Sequence, residues 1–425
     1  MMHDLLEELR KCSRCGFCLE VCPTYKVDLV EGGAARGRLR LAKIVEEGKY
    51  EWSSDNKISK HINDCLLCGA CVANCPGAIP TNELMIEARQ KINKNSGTPL
   101  FYKIAYKGAL SNHTNLNIGR KFMRMYQVIR LRKLVEASGV LKLLPAIKAM
   151  EERMPVVQAQ SFFEALPGLG VVVKNSRRVA YFCGCATNSF FGDVGISTVK
   201  VLRKLDYDVY APQPECCGEP HKSAGDLEEA KRLARRNIDI FLAGPVSEHI
   251  VTDCATCGSA LKGYGKLLAD DERYRDKAAT FSASVLDLNE FLVDKTDALE
   301  NLTEAGGEIT VTFHDPCHLA RGQKLAGKPR EILRTIPGVK FVEMVGADSC
   351  CGGAGSYGFT HHRLSKKILD SKMANAKATG ADVLSTACPA CMMQLSYGIM
   401  SEKSAMRLLH PVQLLEVALP KKTRG

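Results

Sequence analysis

Nineteen cysteines lie along 425 residues, and their spacing is repeated. Cys216 and Cys217 are adjacent and followed by Gly218; 36 intervening residues lead to Cys254-Ala-Thr-Cys257. Cys350 and Cys351 are adjacent and followed by Gly352; again 36 residues lead to Cys388-Pro-Ala-Cys391. A lone cysteine at the end of an apolar run precedes each set. Thirty residues separate Cys185 (with Cys183 beside it) from Cys216, and 32 separate Cys317 from Cys350. Five thiols at matching spacing, twice, read as two copies of one metal-binding module. No apolar signal core follows Met1, so a cytoplasmic chain is expected. Tightly clustered thiols in such a chain point to metal rather than to disulfides.

A second repeat occupies the N-terminal quarter. Cys12-Ser-Arg-Cys15-Gly-Phe-Cys18-Leu-Glu-Val-Cys22-Pro23 returns as Cys65-Leu-Leu-Cys68-Gly-Ala-Cys71-Val-Ala-Asn-Cys75-Pro76. This is C-x2-C-x2-C-x3-C-P, the bacterial ferredoxin signature, in which the fourth cysteine of one run serves the other cluster. One cubane 4Fe–4S cluster is therefore assigned to Cys12, Cys15, Cys18 and Cys75, and the other to Cys65, Cys68, Cys71 and Cys22. Zinc sites pair cysteines in separated knuckles instead. Apolar spacing predicts helices over His3–Lys11 and Ala34–Gly48, and one starting at a Thr81 or Asn82 cap. Gly32–Arg38 lacks the Gly-Lys-Ser/Thr ending of a phosphate loop and reads as a turn before a helix.

The net charge of +11 is unevenly spread: residues 101–180 hold 14 Lys and Arg against 4 Asp and Glu. Segments Ile118–Glu136 and Val140–Met150 mix apolar and basic residues at helical spacing. They read either as a solvated connector or as a docking surface for an acidic partner or a headgroup layer. No motif that reads nucleic acid accompanies the charge.

In the C-terminal half, β-rich runs such as Arg178–Phe182 and Glu308–Phe313 end at cysteines and alternate with helical stretches such as Leu227–Leu242 and Leu364–Ala378. That alternation implies parallel α/β units, with ligands at the carboxyl ends of strands. The expected fold is thus an α-helical two-cluster ferredoxin domain (1–97), a basic helical connector (98–176) and two tandem α/β modules (177–305 and 306–425). Two adjacent thiolates hardly serve one tetrahedral zinc, yet they can hold separate irons. A Cys pair plus C-x2-C still supplies four sulfurs, so zinc in one module stays open. His221, His314 and His318 lie near the cysteines, either as proton donors or as loop hydrogen-bonders. His361 and His362 read as surface or helix-start residues.

The lone Cys, Cys-Cys-Gly and C-x2-C pattern matches the cysteine-rich CCG domain. Fused to a two-cluster ferredoxin domain, the whole chain resembles the iron–sulfur subunit of glycolate and lactate oxidases. It also resembles the ferredoxin/CCG subunit of membrane-bound heterodisulfide reductase and, more distantly, the C subunit of anaerobic glycerol-3-phosphate dehydrogenase. Cys15-Gly-Phe-Cys18, Cys22-Pro-Thr-Tyr25, Gly37-Arg38 and the basic Tyr126–Leu144 stretch favour the glycolate oxidase side. The complete cysteine set in both modules points toward the reductase. By resemblance, Cys185, Cys216, Cys217, Cys254 and Cys257 hold one non-cubane 4Fe–4S cluster, and Cys317, Cys350, Cys351, Cys388 and Cys391 another. Cys183 is a spare for Cys185.

The resemblance implies an electron-transfer subunit whose flavoprotein partner oxidises a 2-hydroxy acid, with a quinone or other carrier as acceptor. No G-x-G-x-x-G follows a strand, so the flavin belongs elsewhere. The alternative is disulfide reduction at paired CCG clusters, with Cys217 and Cys351 as candidate catalytic residues and a membrane-associated quinone or b-haem subunit as partner. A cytoplasmic chain, peripheral at the inner face of the membrane, suits either.

Overall fold

The computed structural model describes residues 5–98, 102–128, 151–153, 155–170, 177–303, 306–355 and 357–420. The C-terminal half is built on two four-stranded, wholly parallel sheets. The first holds β1 (Arg178–Tyr181), β2 (Asp208–Tyr210), β3 (His249–Thr252) and β4 (Val285–Asp287); the second holds β5 (Ile309–Phe313), β6 (Val339–Phe341), β7 (Val383–Ser385) and β8 (Arg407–Leu409). Their orders are β2-β1-β3-β4 and β6-β5-β7-β8, one topology used twice. The short strands are rich in Val, Ile, Phe and Tyr, as buried parallel strands are. Helices cover them, as parallel crossovers require.

Strand register makes the repeat exact to the residue. Val179 pairs with His249, and Val311 with Val383; Cys254 and Cys388 each follow five residues after those partners. Val179 therefore matches Val311, and Cys185 matches Cys317. The pairs Val179↔Val209 and Val311↔Phe341 have equal sequence separation. The two extra residues between Cys317 and Cys350 thus fall in the loop after β6. One continuous apolar core runs through both modules, from Val179 and Phe182 to Val412 and Leu415.

The N-terminal region packs a separate core, including Leu9, Leu39, Ile62 and Met85. Its helices include Leu5–Arg10, Ala35–Glu46 and Thr81–Ser96. The expected Thr81 or Asn82 cap is not made: Pro80 takes the N-cap position, with no side-chain cap, and Thr81 is the first helical residue. Proline's fixed φ suits a helix start without a capping side chain.

Of the connector, Ile129–Met150 lies outside the described residues, and with it most of the two predicted helices. What is described does more than join domains. Lys103–Leu110 is a π-helix and His113–Val128 an α-helix. The latter buries Arg120 against Glu164 and exposes Ile118, Phe122, Met125 and Val128. Part of the basic charge is therefore spent internally: Lys107 pairs with Asp226 at 2.8 Å. Arg153 is buried against the second module, donating to Ser365 Oγ (3.1 Å) and the His362 carbonyl (3.1 Å). No described helix is long and apolar enough to cross a membrane.

Candidate metal centres

In the ferredoxin region the two runs fold alike. Arg14 and Leu67, each just before a motif cysteine, have φ of 60° and 54°, and Gly16 and Gly69, each just after it, have 94° and 69°. Left-handed residues on both sides of Cys15 and Cys68 curl each run into a tight loop. For a non-glycine this conformation costs about 1–3 kcal/mol and persists where function demands it. Pro23 then starts a helix (Pro23–Asp28) that carries Cys22 away from its own run.

The outcome is an exchange of fourth cysteines. Cys12, Cys15, Cys18 and Cys75 line one hollow, with Cys71 at its border with the next. Cys22, Cys65, Cys68 and Cys71 line another. Burial pushes the thiols of Cys18 and Cys68 above their ordinary range, and Cys71 up to about 12. Crowded, buried thiols that resist ionising alone suit a cationic cluster, which holds them as thiolates. Four sulfurs around one hollow are the donor set of a cubane 4Fe–4S cluster.

Arg38 completes the second of these sites. It is 2 % exposed; Nε donates to the His61 carbonyl (2.7 Å), Nη2 to Thr24 Oγ1 (3.1 Å), and Nη1 lies 3.9 Å from Cys22 Sγ. Burial opposes its charge, yet Cys65 and Cys22 hold its pKa above the ordinary value. The sequence flagged Arg38 only through family likeness; nothing in its spacing marks it as a buried counter-charge. Arg89 plays a joining part, donating to the Cys65 carbonyl at 2.5 Å and to the Ser223 carbonyl of the first module at 2.7 Å.

Each module gathers its thiols at the carboxyl ends of its strands. In the first, the thiol of Cys216 interacts with Cys185 and Cys217, Cys217 with Cys257, and Cys257 with Cys254. In the second, Cys350 interacts with Cys351, Cys351 with Cys391, and Cys391 with Cys388. The interaction with Cys216 holds Cys217 well below the usual thiol range, and that with Cys350 does the same for Cys351. Each C-x2-C opens a helix, Ala255–Lys262 or Pro389–Ser401; interactions with neighbouring thiols hold Cys388 below the thiol range and, with burial, push Cys254, Cys257 and Cys391 above it.

The glycine after each Cys pair is required. Gly218 has φ 85° and Gly352 has 82°; a Cβ on Gly352 would stand 2.8 Å from the Ser365 carbonyl oxygen. No other residue tolerates both the conformation and the contact.

Cys183 stands apart. It is fully buried in an apolar cluster with Phe162, Tyr181 and Val199, and its pKa is raised by burial. Strand register puts it where the second module has Asp315. Of the two neighbours, Cys185 is the one that joins the thiol group.

The two modules meet through their cysteines. The thiols of Cys254 and Cys388 interact across the boundary. The Ala255 amide donates to the Ala387 carbonyl (3.0 Å), and Thr256 Oγ1 lies 3.3 Å from Cys388 Sγ. The second module reaches the ferredoxin thiols: Cys68 feels the charge of Cys317, and Cys350 that of Cys317 and Cys68. Tyr357 donates to the Asp64 carbonyl (3.1 Å), and Lys367 pairs with Asp28 at 2.7 Å, fixing this contact.

The histidines divide. His221 is fully engaged, Nδ1 with the Tyr102 hydroxyl (2.8 Å) and Nε2 with Ser111 (3.0 Å), so it ties the connector to the first module. His318 lies 4.0 Å from Cys317 Sγ and pairs with buried Glu219 of the first module at 3.6 Å. His314 is buried beside Cys351 and Cys391. His361 is a helix-start residue, and also an interface one: it stacks on Tyr357 and pairs with Asp64 at 3.3 Å.

Comparison with known proteins agrees with this geometry. Residues 179–262 and 311–396 match the family described as Cysteine-rich domain, and residues 8–79 match the 4Fe-4S dicluster domain. Residues 97–154 match the Glycolate oxidase iron-sulfur subunit, linker region. The probable glycolate oxidase iron-sulfur subunit of Bacillus subtilis is 35% identical over 98% of this chain and 95% of its own. The glycolate oxidase iron-sulfur subunit of Escherichia coli is 29% identical, covering 97% and 95%. One subunit of the dihydromethanophenazine:CoB–CoM heterodisulfide reductase of Methanosarcina barkeri is 27% identical, covering 97% and 95%.

Proposed function

Because the chain belongs to the family of glycolate oxidase iron–sulfur subunits, and so is an iron–sulfur electron-transfer subunit of an oxidoreductase, we propose a specific circuit for it. A flavoprotein partner oxidises a small 2-hydroxy acid, glycolate or lactate, and this chain conveys the electrons to a quinone or another carrier. The observation that carries the reading is the unbroken series of thiol sets. It runs from Cys12, Cys15, Cys18 and Cys75, through Cys22, Cys65, Cys68 and Cys71, to the second module and then the first.

When bound, iron–sulfur clusters supply one-electron chemistry at potentials set by charge, hydrogen bonds and burial. The protein's own residues do the rest. The eight ferredoxin cysteines hold two cubane clusters. Cys185, Cys216, Cys217, Cys254 and Cys257, and their counterparts Cys317, Cys350, Cys351, Cys388 and Cys391, hold one non-cubane 4Fe–4S cluster each. Five thiols per site exceed what a tetrahedral zinc takes, which favours iron. Arg38 offsets charge at Cys22 and Cys65. The apolar stripe Ile118, Phe122, Met125 and Val128 faces outward on a basic connector and suits docking to a partner. We read the chain as cytoplasmic, peripheral at the inner face of the membrane.

A second reading has its own observation: two complete modules meet at Cys254 and Cys388, with His318 and Glu219 bridging the same boundary. That arrangement suits a disulfide reduced between paired sites, with Cys217 and Cys351 essential. Purifying the intact complex anaerobically from its host separates the readings. A co-purifying flavin that glycolate or lactate bleaches supports the first. A b-haem subunit without flavin, and disulfide reduction lost in Cys351→Ser, supports the second.

A further inference from the structure

His314 directly follows β5, is 1 % exposed, and has no nitrogen or oxygen partner on either ring nitrogen; the polar atoms beside it are the sulfurs of Cys351 and Cys391. Buried imidazoles are ordinarily satisfied on both sides, because an orphaned polar atom is costly. Its position explains the anomaly. A ring nitrogen of His314 and the sulfurs of Cys351 and Cys391 all lie within 4.8 Å of one another. Donors about 2.0–2.3 Å from a tetrahedral metal stand roughly 3.5 Å apart, so little contraction separates this trio from a ligand set. The first module contains its own control. Strand register puts Phe182 at the equivalent position, where it stacks on Phe241 with centroids 5.6 Å apart and offers no donor atom.

We propose that His314 is a nitrogen ligand to the iron–sulfur cluster of the second CCG module. That site is then a mixed thiolate–imidazole centre, while the first is all-thiolate. The inference rests on the reading that the second module holds such a cluster. A neutral imidazole adds no negative charge to the centre, and histidine ligation raises the potential of iron–sulfur centres relative to thiolate alone. The two modules thus differ in potential although their cysteines match.

The test uses the intact complex, prepared anaerobically with natural-abundance and with 15N-labelled histidine. Pulsed EPR is recorded on the signal that Cys351→Ser removes. The expected result is a strong 14N coupling of a directly bound ring. It converts to 15N on labelling and is absent in His314→Phe, which copies the first module, and in His314→Gln. The midpoint potential of that signal falls in both variants. The labelled wild-type protein decides the matter even if neither variant retains iron. A signal with no histidine coupling, with only the weak coupling of a hydrogen-bonded ring, or with a strong coupling that survives either substitution overturns the ligation while leaving the cluster in place. If Cys351→Ser removes no signal while the ferredoxin signals are present, the cluster reading and the ligation fall together.

Discussion

In the first CCG module the residue after β1 is Phe182, stacked on Phe241; in the second, the residue after β5 is His314, with no nitrogen or oxygen partner. The contrast continues around each site. Cys183 matches Asp315, which is clamped by Arg330 at 2.7 Å. Ala186 matches His318. Asp253, fully buried and bonded by Tyr181 (2.6 Å) and Thr187 (3.0 Å), matches Ala387. The neighbours differ too: Cys317 and Cys350 of the second module feel the ferredoxin thiol Cys68, while the first module meets that region through Arg89. A duplicated scaffold therefore keeps its thiols in register while the surrounding residues diverge. Metal capacity resides in the repeat, and the setting that tunes it resides in what is not repeated.

The largest effects break the comparison at the thiols. Cys217→Ser should empty the first site and Cys351→Ser the second, each leaving the ferredoxin EPR signals intact. Iron analysis per chain checks this, and equal iron in wild type and variant would refute it.

Acid sharpens the comparison next. Where the last strand of each module ends stands a buried helix cap, Asp287 in the first module and His410 in the second. Burial pushes His410 down to about 4 from 6.5. The unfolded chain therefore takes up a proton below pH 6.5 that the fold refuses. The stability from this site is full above 6.5 and is lost as pH falls toward 4, by about 3 kcal/mol. Burial pushes Asp287 up to about 6 from 3.8, so between pH 6 and 4 the fold binds a proton first and offsets part of that loss. Denaturation midpoints from pH 7 to 4 should fall less in His410→Gln and more in Asp287→Asn.

A smaller effect concerns the connector. Arg153→Ala removes hydrogen bonds to Ser365, Gln394 and His362 of the second module and should cost about 2 kcal/mol. Tyr102→Phe removes bonds to His221 and Asp226 of the first module and should cost about 1 kcal/mol. Thermal unfolding of both variants ranks the two anchors.

The smallest effect separates two adjacent cysteines. Cys183→Ala should keep all its iron and lose about 1 kcal/mol of packing. Cys185→Ser should lose iron from the first site.

Much of this was legible in the chain. Cysteine spacing was enough to read the module repeat, because each lone Cys, Cys-Cys-Gly and C-x2-C recurs at the same intervals. Strands ending at Cys183 and Cys317 were legible from their β-branched and aromatic runs. The short strands β2, β4, β6 and β8 were not singled out, since three residues carry little periodicity. The burial of Arg38, the contact of Cys254 with Cys388 and the place of His314 beside Cys351 and Cys391 depend on residues far apart in sequence, where no local pattern speaks. His221 read either as a proton donor or as a loop hydrogen-bonder beside Cys217; only tertiary packing decides for the second, with Tyr102 and Ser111 on its two nitrogens.

The most direct test of the account is the order in which the sites are reduced. Rapid freeze-quench EPR should follow the complex after mixing with its hydroxy-acid substrate, in wild type, Cys350→Ser and Cys216→Ser. The account predicts that Cys350→Ser, which damages the site beside Cys68, leaves the ferredoxin signals developing normally and delays the first module's signal beyond turnover. Cys216→Ser should leave the second module's signal intact. A first-module signal that develops at the wild-type rate in Cys350→Ser would contradict the arrangement.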